Sequence, residues 1–261
     1  MNNRSITHDM ALTLDIDWAP DFMIDFAAAS LVENRVRATW FVTHASPALA
    51  RLRAHPDLFE IGIHPNFFPG STHGDSPAAV LRHCLNLVPE AVSIRTHGLF
   101  QSTALLELVM HETAIMTDAS LYLPRAKRLG PIEYEWARKT LLRVPHFWED
   151  DFEMERRSPC WNLTPLLNDN YGLRVFDFHP IHVYLNSSTT SAYQQLKQAV
   201  PNLAELTIDQ ANGAKHIETG TQTLFNELVT HLSKTGDSMR MRDIHERWQR
   251  CRGKEAERAR P

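Results

Sequence analysis

Asp15 and Asp17 are the first residues of this chain whose types and spacing suggest chemistry. They lie in the run Leu14-Asp15-Ile16-Asp17-Trp18, directly after a short apolar stretch. Two carboxylates that are two residues apart on an extended chain point in the same direction. They can share a metal ion, or divide into a metal ligand and a general base. The alternative, a pair of aspartates that caps the next helix, is not excluded by this fragment alone.

Two histidines supply candidate nitrogen ligands for such an ion. His64 precedes Pro65, and a residue before proline is held extended, which directs the His64 ring out of a strand end. His73 follows nine residues later, beyond a Pro-Gly pair that favours a turn back toward His64. One Asp and two His with an open position are a ligand set for a hydrolytic divalent metal. The pattern predicts a metal site formed by Asp17, His64 and His73, although a lone His is more often structural.

Further polar side chains follow the later predicted strands. In a parallel α/β barrel the carboxyl ends of the strands converge on one face, where active sites lie. Packing alone does not explain so many ionisable groups at such positions. The residues concerned are Arg95, His97, His146, Asp150, His179 and His182.

The elements that must position these residues alternate between short apolar runs and longer amphipathic ones. This β-then-α rhythm predicts a parallel sheet or barrel in one domain that spans residues 1–261. The less periodic segments 121–139 and 187–220 are predicted to be loops or lids. The predicted strands are Met10–Leu14, Arg37–Val42, Leu58–Ile63, Ala91–Ile94, Thr113–Met116, Leu141–Val144 and Leu173–Phe178. The predicted helices are 21–34, 47–54, 77–87 after a Ser76 cap, 102–111, 221–233 and 239–250.

Composition narrows the class of protein. The chain has 261 residues, of which 43% are hydrophobic and 22% charged, as in an ordinary globular domain. A net charge of -4 gives no electrostatic footprint for nucleic acid, and the basic residues between Arg240 and Arg260 are interrupted by glutamates. Three widely spaced cysteines predict neither a disulfide framework nor a CxxC zinc site.

The sequence also bears on location. The first residues contain no apolar segment or cleavage site of a signal peptide, and no run of 18 apolar residues occurs. We therefore expect a cytoplasmic protein without a membrane span. The sequence does not indicate an oligomeric state.

Four motifs carry a family resemblance. Their order along the chain resembles that in the polysaccharide deacetylases, the carbohydrate esterase family 4 group. The motifs are Thr13-Leu-Asp-Ile-Asp17, Glu60-Ile-Gly-Ile-His64, Arg95-Thr-His-Gly98 and Phe178-His179-Pro180. The resemblance covers about residues 9 to 185. It implies a distorted (β/α) barrel, often seven-stranded, that binds zinc or another divalent ion and hydrolyses N-acetyl groups on sugars or related amides.

The resemblance also implies roles for individual residues. Asp15 matches the general base, Asp17 and His64 match metal ligands, Arg95 matches the arginine that orients the base, and His179 matches the general acid. His97 stands at a substrate-groove position, and His182 is a second candidate for the acid. We favour His179 because Pro180 fixes it at the strand end. Trp148 and Asp150 resemble the motif that tunes this histidine.

One departure from the family pattern is important. The usual second metal histidine lies four residues after the first, and Phe68 occupies that place here. Either His73 substitutes for it, or the site has two protein ligands. We therefore expect a metal-dependent sugar N-deacetylase that contains one divalent ion, most simply Zn²⁺, and acts in the biosynthesis of a bacterial surface polysaccharide such as an O-antigen or capsule. Its substrate would be a nucleotide-linked, lipid-linked or small N-acetylated glycoside. The alternatives are a non-catalytic carbohydrate-binding relative and a metal amidase with a non-sugar substrate.

Overall fold

A curled, largely parallel sheet forms the centre of the protein. The structure, a computed structural model, describes residues 9–167 and 172–258. The ends of the predicted 1–261 domain, with the last residues of the basic tail, lie outside that range. The strands are β1 Met10–Asp15, β2 Ala38–Val42, β3 Phe59–Ile63, β4 Ser93–Ile94, β5 Thr117–Asp118, β6 Ile132–Trp136, β7 Lys139–Arg143, β8 Trp148–Glu149, β9 Arg174–Phe178 and β10 Ser238–Met239.

Strand order follows the β/α rhythm of the sequence. The sheet runs β6-β7-β5-β4-β3-β2-β1-β9-β8, and β10 adds to β1. All pairings in it are parallel except the hairpin between β6 and β7. Strands β1, β2, β3 and β9 are buried at every residue. Burial on both faces is typical of parallel strands that helices cover from outside.

The run 139–149 brings the two ends of the sheet together. Its first part, β7, pairs with β5, and its last part, β8, pairs with β9. Between them, Val144 N–H donates to Asp118 and Phe147 N–H donates to Val175. Seven parallel positions therefore follow one another around the curled sheet, which confirms the predicted barrel class. They are β1, β2, β3, β4, β5, the run 139–149 and β9.

Helices cover the outside of the sheet. Ser76 and Ser102 cap α3 and α4, since each side chain accepts a hydrogen bond from the backbone three residues on. The helices are α1 Asp21–Glu33, α2 Ala48–Arg53, α3 Pro77–Leu87, α4 Thr103–Glu112, α5 Asp150–Met154, α6 Thr164–Leu167, α7 Pro180–Leu185, α8 Thr190–Ala199, α9 Ile208–Gly213, α10 Thr221–Thr235 and α11 Met241–Arg258. Short 3₁₀ turns occur at His97–Leu99 and Leu203–Glu205.

Two predictions for the middle of the chain were wrong. The fifth strand lies at Thr117–Asp118 and not at Thr113–Met116, because Thr113 is the C-cap of α4. The segment 121–139 is not wholly a loop, since it contains β6 of the hairpin. Ala137 and Arg138 form the turn with φ of 46° and 66°. Such left-handed turns usually contain Gly or Asn, so the sequence lacked the usual hairpin signal.

The predicted lid at 187–220 is also more regular than expected. It contains α8 and α9. In α8 the side chain of Leu196 is the one buried, and the helix is mostly polar, so it offers little apolar content from which a helix would be predicted. Thr207 and Gln210 form a capping box at the start of α9, which is a readable sequence signal.

Candidate active site

Asp15 and Arg95 form a fixed pair below the carboxyl end of the sheet. Asp15 ends β1, and its Oδ1 accepts a hydrogen bond of 2.9 Å from Arg95 Nη1. The same Arg95 is fully buried, donates to the backbone oxygen of Ala119 at 3.1 Å and lies over the Phe41 ring at 4.7 Å. With the guanidinium held on several sides, the Asp15 carboxylate has one defined orientation.

Asp17 lies at the centre of the site because the chain turns sharply after β1. Asp17 and Trp18 have φ of 32° and 56°, the left-handed region that few non-glycine residues adopt. Asp17 Oδ1 is 3.2 Å from His64 Nε2 and 3.2 Å from His97 Nδ1, and its Oδ2 is 3.5 Å from His179 Nε2. Burial favours the neutral acid, but His64 and then His97 outweigh it and hold the pKa of Asp17 well below its usual range.

His64 directs its second ring nitrogen, Nε2, toward Asp17. Its Nδ1 is 2.8 Å from the backbone oxygen of Arg95. Because a carbonyl oxygen can only accept, Nδ1 carries a proton, and in the neutral tautomer that a metal ligand requires, the lone pair of Nε2 faces Asp17. A ligand histidine whose other nitrogen donates to a backbone carbonyl is the common arrangement in metal sites.

The structure does not bring His73 to this cluster, and places His97 there instead. His73 Nδ1 accepts a hydrogen bond of 3.1 Å from the backbone N–H of Asn66, and its ring stacks on His83 at 4.9 Å. Burial and then His83 lower the pKa of His73 to about 4. The turn after Pro69 therefore packs His73 against α3, and its ring nitrogens do not join the ligand atoms grouped around Asp17.

His97 reaches Asp17 from the 3₁₀ turn after β4. The turn depends on Gly98, whose φ is 59° and at which an added Cβ would lie 2.6 Å from Phe68. Phe68 thus fills the space beside His97, with ring centroids 6.3 Å apart and nearly perpendicular planes. Phe68, at the position where the family usually has its second metal histidine, thus packs beside the ring of His97, which follows a different strand.

Asp17, His64 and His97 have the geometry of a metal ligand set. Their ligand atoms all lie within 4.8 Å of one another. Asp17 Oδ1 and His97 Nδ1 are closed to solvent, and neither has a hydrogen-bond partner within the described chain. Tetrahedral zinc with bonds near 2.1 Å separates its ligand atoms by roughly 3.4 Å, close to the two 3.2 Å distances here. The residues present therefore fit a divalent ion of the zinc type.

His179 is held differently, by a carboxylate. It caps α7 directly after β9. Asp150 Oδ1 is 2.7 Å from His179 Nδ1, and Asp150 Oδ2 accepts the backbone N–H of His179 at 2.8 Å. Burial favours the neutral ring, but Asp150 and then Asp151 outweigh it and raise the pKa of His179 well above its usual value. Asp150 therefore contacts His179 at the position that the resemblance implied.

His182 lies on α7, three residues after His179. Its Nε2 is 2.8 Å from Asp151 Oδ1, and its Nδ1 is 3.0 Å from Ser187 Oγ. Both ring nitrogens are engaged, and the side chain is almost fully buried. His182 thus has less freedom than His179 to face a ligand.

Trp148 does not face the site. It is 1% exposed, and its ring packs against Phe178 at 4.8 Å and edge-on to Trp161. The indole stabilises the wall behind Asp150 and His179.

Sequence reasoning missed two acids beneath the site, Asp177 and Glu149. Asp177 is fully buried and accepts hydrogen bonds from Thr13 Oγ1 and Arg95, and burial raises its pKa to about 8. Glu149 Oε2 is 2.8 Å from His146 Nε2, and burial and then Asp177 raise its pKa well above the usual value. The signal for Asp177 was its place as the one acid in the apolar run Val175-Phe-Asp-Phe178.

These groups surround a cavity of about 340 Å³, which is within the range of small-molecule sites. Its floor comes from the strand ends already described, and its sides come from α5 and α8. The lining includes Asp15, Asp17, His64, His97, Gly98, Glu149, Asp151, Phe152, Glu155, His179, Thr190, Tyr193, Gln194 and Lys197.

Comparison with known families agrees with this geometry. The sequence model of the WbmS-like polysaccharide deacetylases matches residues 12–197, so the chain belongs to that family. The crystal structure of a protein from Bordetella bronchiseptica, described as a polysaccharide deacetylase involved in O-antigen biosynthesis, is 31% identical with a TM-score of 0.73. The match covers 85% of this chain and 90% of that one.

Other comparisons are more distant. A 4-α-glucanotransferase from Thermococcus litoralis shares the fold at 9% identity and a TM-score of 0.55, over 91% of this chain and 38% of that one. No curated protein matches the sequence. None of the helices in the described part of the chain has both the length and the apolar character that a membrane crossing requires.

Proposed function

We propose that this protein is a metal-dependent N-deacetylase in which Asp17, His64 and His97 bind one divalent ion, most simply Zn²⁺. One observation carries the proposal: two buried atoms without hydrogen-bond partners, Asp17 Oδ1 and His97 Nδ1, converge with the lone pair of His64 Nε2. Such unsatisfied groups are costly unless something binds to them. Two nitrogens and one carboxylate oxygen leave open positions for water and substrate, as in catalytic zinc sites.

The bound ion would polarise the acetyl carbonyl and lower the pKa of the attacking water. The side chains then divide the proton transfers. Asp15 takes a proton from the water, since its carboxylate lines the cavity and Arg95 holds it by a charge-assisted hydrogen bond. Gly98 also lines the cavity. We assign its backbone N–H to the developing oxyanion.

His179 donates a proton to the leaving amine. An imidazole acid must be protonated when the tetrahedral intermediate breaks down. The Asp150 carboxylate at 2.7 Å favours that form and fixes the ring. His179 Nε2 points toward Asp17, and therefore toward the reacting centre.

The substrate that we propose is an N-acetylated sugar of a surface polysaccharide, such as an O-antigen or capsule. Family membership and the Bordetella bronchiseptica relative support this assignment. His97 offers a metal ligand in place of the one missing at Phe68, and this supports catalysis over the alternative of a non-catalytic binding protein.

The experiment is to load the purified protein with Zn²⁺ and assay acetate release from nucleotide-linked, lipid-linked and simple N-acetyl glycosides. Asp15→Asn is the control, because it keeps the shape and the metal ligands but removes the base. The variant should retain metal and lose about 10²–10⁴ in rate. A metal-loaded wild type that releases no acetate from any of these sugars would refute the proposed function. Equal turnover by Asp15→Asn would remove Asp15 from the mechanism.

A further inference from the structure

Helix α8 presents one polar face to the active-site cavity. Thr190, Tyr193, Gln194 and Lys197 all line the cavity. Their spacing is i, i+3, i+4 and i+7, which places them on a single helical stripe. The structure thus turns this polar side of α8 toward the cavity.

Thr190 on this face contains a polar group without a hydrogen-bond partner among the described residues. Its Oγ1 is closed to solvent and makes no hydrogen bond with any of the described residues. A buried hydroxyl without a partner costs free energy unless a ligand or water satisfies it. Thr190 begins α8, one helical turn before Tyr193, so the unsatisfied group and the Tyr193 side chain belong to the same surface.

The Tyr193 hydroxyl is a second donor available to a ligand. Its ring is half-buried and lies edge-on to His182, with centroids 4.5 Å apart at 78°. Within the described chain the hydroxyl makes no hydrogen bond. Burial and then Asp151 raise the pKa of Tyr193, and the charges of His179 and Asp17 also act on it. The hydroxyl therefore keeps its proton and lies in the electrostatic environment of the reacting groups.

From these contacts we infer that Tyr193 is a catalytic residue whose hydroxyl donates a hydrogen bond to the acetyl oxygen as negative charge develops there. The inference rests on the proposed function and extends it to a residue outside the strand-end motifs. Gly98 and Tyr193 both line the cavity, one on the turn after β4 and the other on α8. Asp17 and His179 line the same cavity, so we assign the Tyr193 hydroxyl to the acetyl oxygen, where it would act beside the Gly98 N–H.

Tyr193→Phe tests the inference, because it removes the hydroxyl and keeps the ring that packs on His182. Tyr184→Phe is the matched control. The Tyr184 hydroxyl donates to Asn212 at 3.0 Å, and the residue does not line the cavity. With the best N-acetyl sugar, Tyr193→Phe should lose about 10² in kcat, the usual value of one oxyanion donor, with KM unchanged. Tyr184→Phe should keep the kcat of the wild type.

Acetate, the reaction product, gives a readout independent of turnover. Its binding to the zinc-loaded protein, measured by calorimetry, should weaken in Tyr193→Phe and stay constant in Tyr184→Phe. An unchanged kcat, a loss confined to KM, or equal acetate binding in both variants would overturn the role. If the wild type deacetylates no sugar, the proposed function fails by itself, and the acetate measurement still tests Tyr193.

Discussion

The two sides of the cavity use histidine in opposite ways. On the β3 side, His64 directs Nδ1 to a backbone carbonyl, which can only accept a hydrogen bond. On the β9 side, His179 directs Nδ1 to the Asp150 carboxylate, which also stabilises a positive charge. The first arrangement leaves a lone pair for a metal, and the second gives an acid. The partner of Nδ1, and not the residue type, thus decides the role.

Asp17 joins the two sides. One carboxylate oxygen lies 3.2 Å from His64 Nε2 and the other lies 3.5 Å from His179 Nε2. If the comparison is right, variants on the β3 side should lose metal, and variants on the β9 side should keep metal and lose proton transfer. The following predictions test that division.

The largest effect is expected from His64→Ala and His97→Ala. Each removes one of three protein ligands, so zinc content and hydrolysis should fall together to background. Elemental analysis of the dialysed proteins is the measurement. His73→Ala is the control, since His73 contacts Asn66 and His83 but not Asp17, and it should retain zinc. Zinc retained by His97→Ala and lost by His73→Ala would restore the ligand set predicted from the sequence.

A smaller loss is expected from His179→Ala, which should keep its zinc. We expect amide hydrolysis to fall by about 10²–10⁴ because the leaving amine no longer receives a proton. An activated acetate ester needs little help from an acid, so its hydrolysis should fall much less. His182→Ala should show no such selectivity, because both of its ring nitrogens bind Asp151 and Ser187. Comparable losses on amide and ester would indicate that His179 supports the metal or the fold.

The smallest effect is expected from Asp150→Asn. The raised pKa of His179 keeps its ring protonated, and hence active as an acid, up to a higher pH. Without the Asp150 charge that pKa falls, so the basic limb of the pH–rate profile should move to lower pH by about 1 unit or more. The acidic limb, which belongs to the base, should stay in place. A basic limb at the wild-type pH would show that Asp150 does not tune His179.

The sequence predicted the parts of the site that depend on strand ends. The residues Asp15, Asp17, His64 and His179 follow strongly apolar runs, so their convergence follows from the topology of parallel strands. The choice between His73 and His97 did not follow in this way. It depends on a left-handed turn at Gly98 and on the packing of Phe68, which are tertiary properties.

Other misses have similar causes. The β6–β7 hairpin turns at Ala137 and Arg138, two residues that rarely adopt positive φ. Helix α8 buries little apolar surface, so its pattern resembled a loop. The sequence alone could not show a role for its polar face, because that role depends on the position of the face beside the cavity.

The run 139–149 also has a consequence for the order in which the site assembles during folding. His64 and His97 follow β3 and β4, and in the sheet these two strands connect to β1 through β2, so that β1 to β4 lie side by side in chain order. Helix α5 begins at Asp150, directly after β8. The pairing of β8 with β9 completes the curl of the sheet. Contacts between distant parts of a chain form late because loop closure costs entropy first. Asp150 and His179 are 29 residues apart, whereas the contact between Thr13 of β1 and Asp177 of β9 spans 164 residues. The Asp150–His179 pair can therefore form early, and it reaches Asp17 when β9 joins β1.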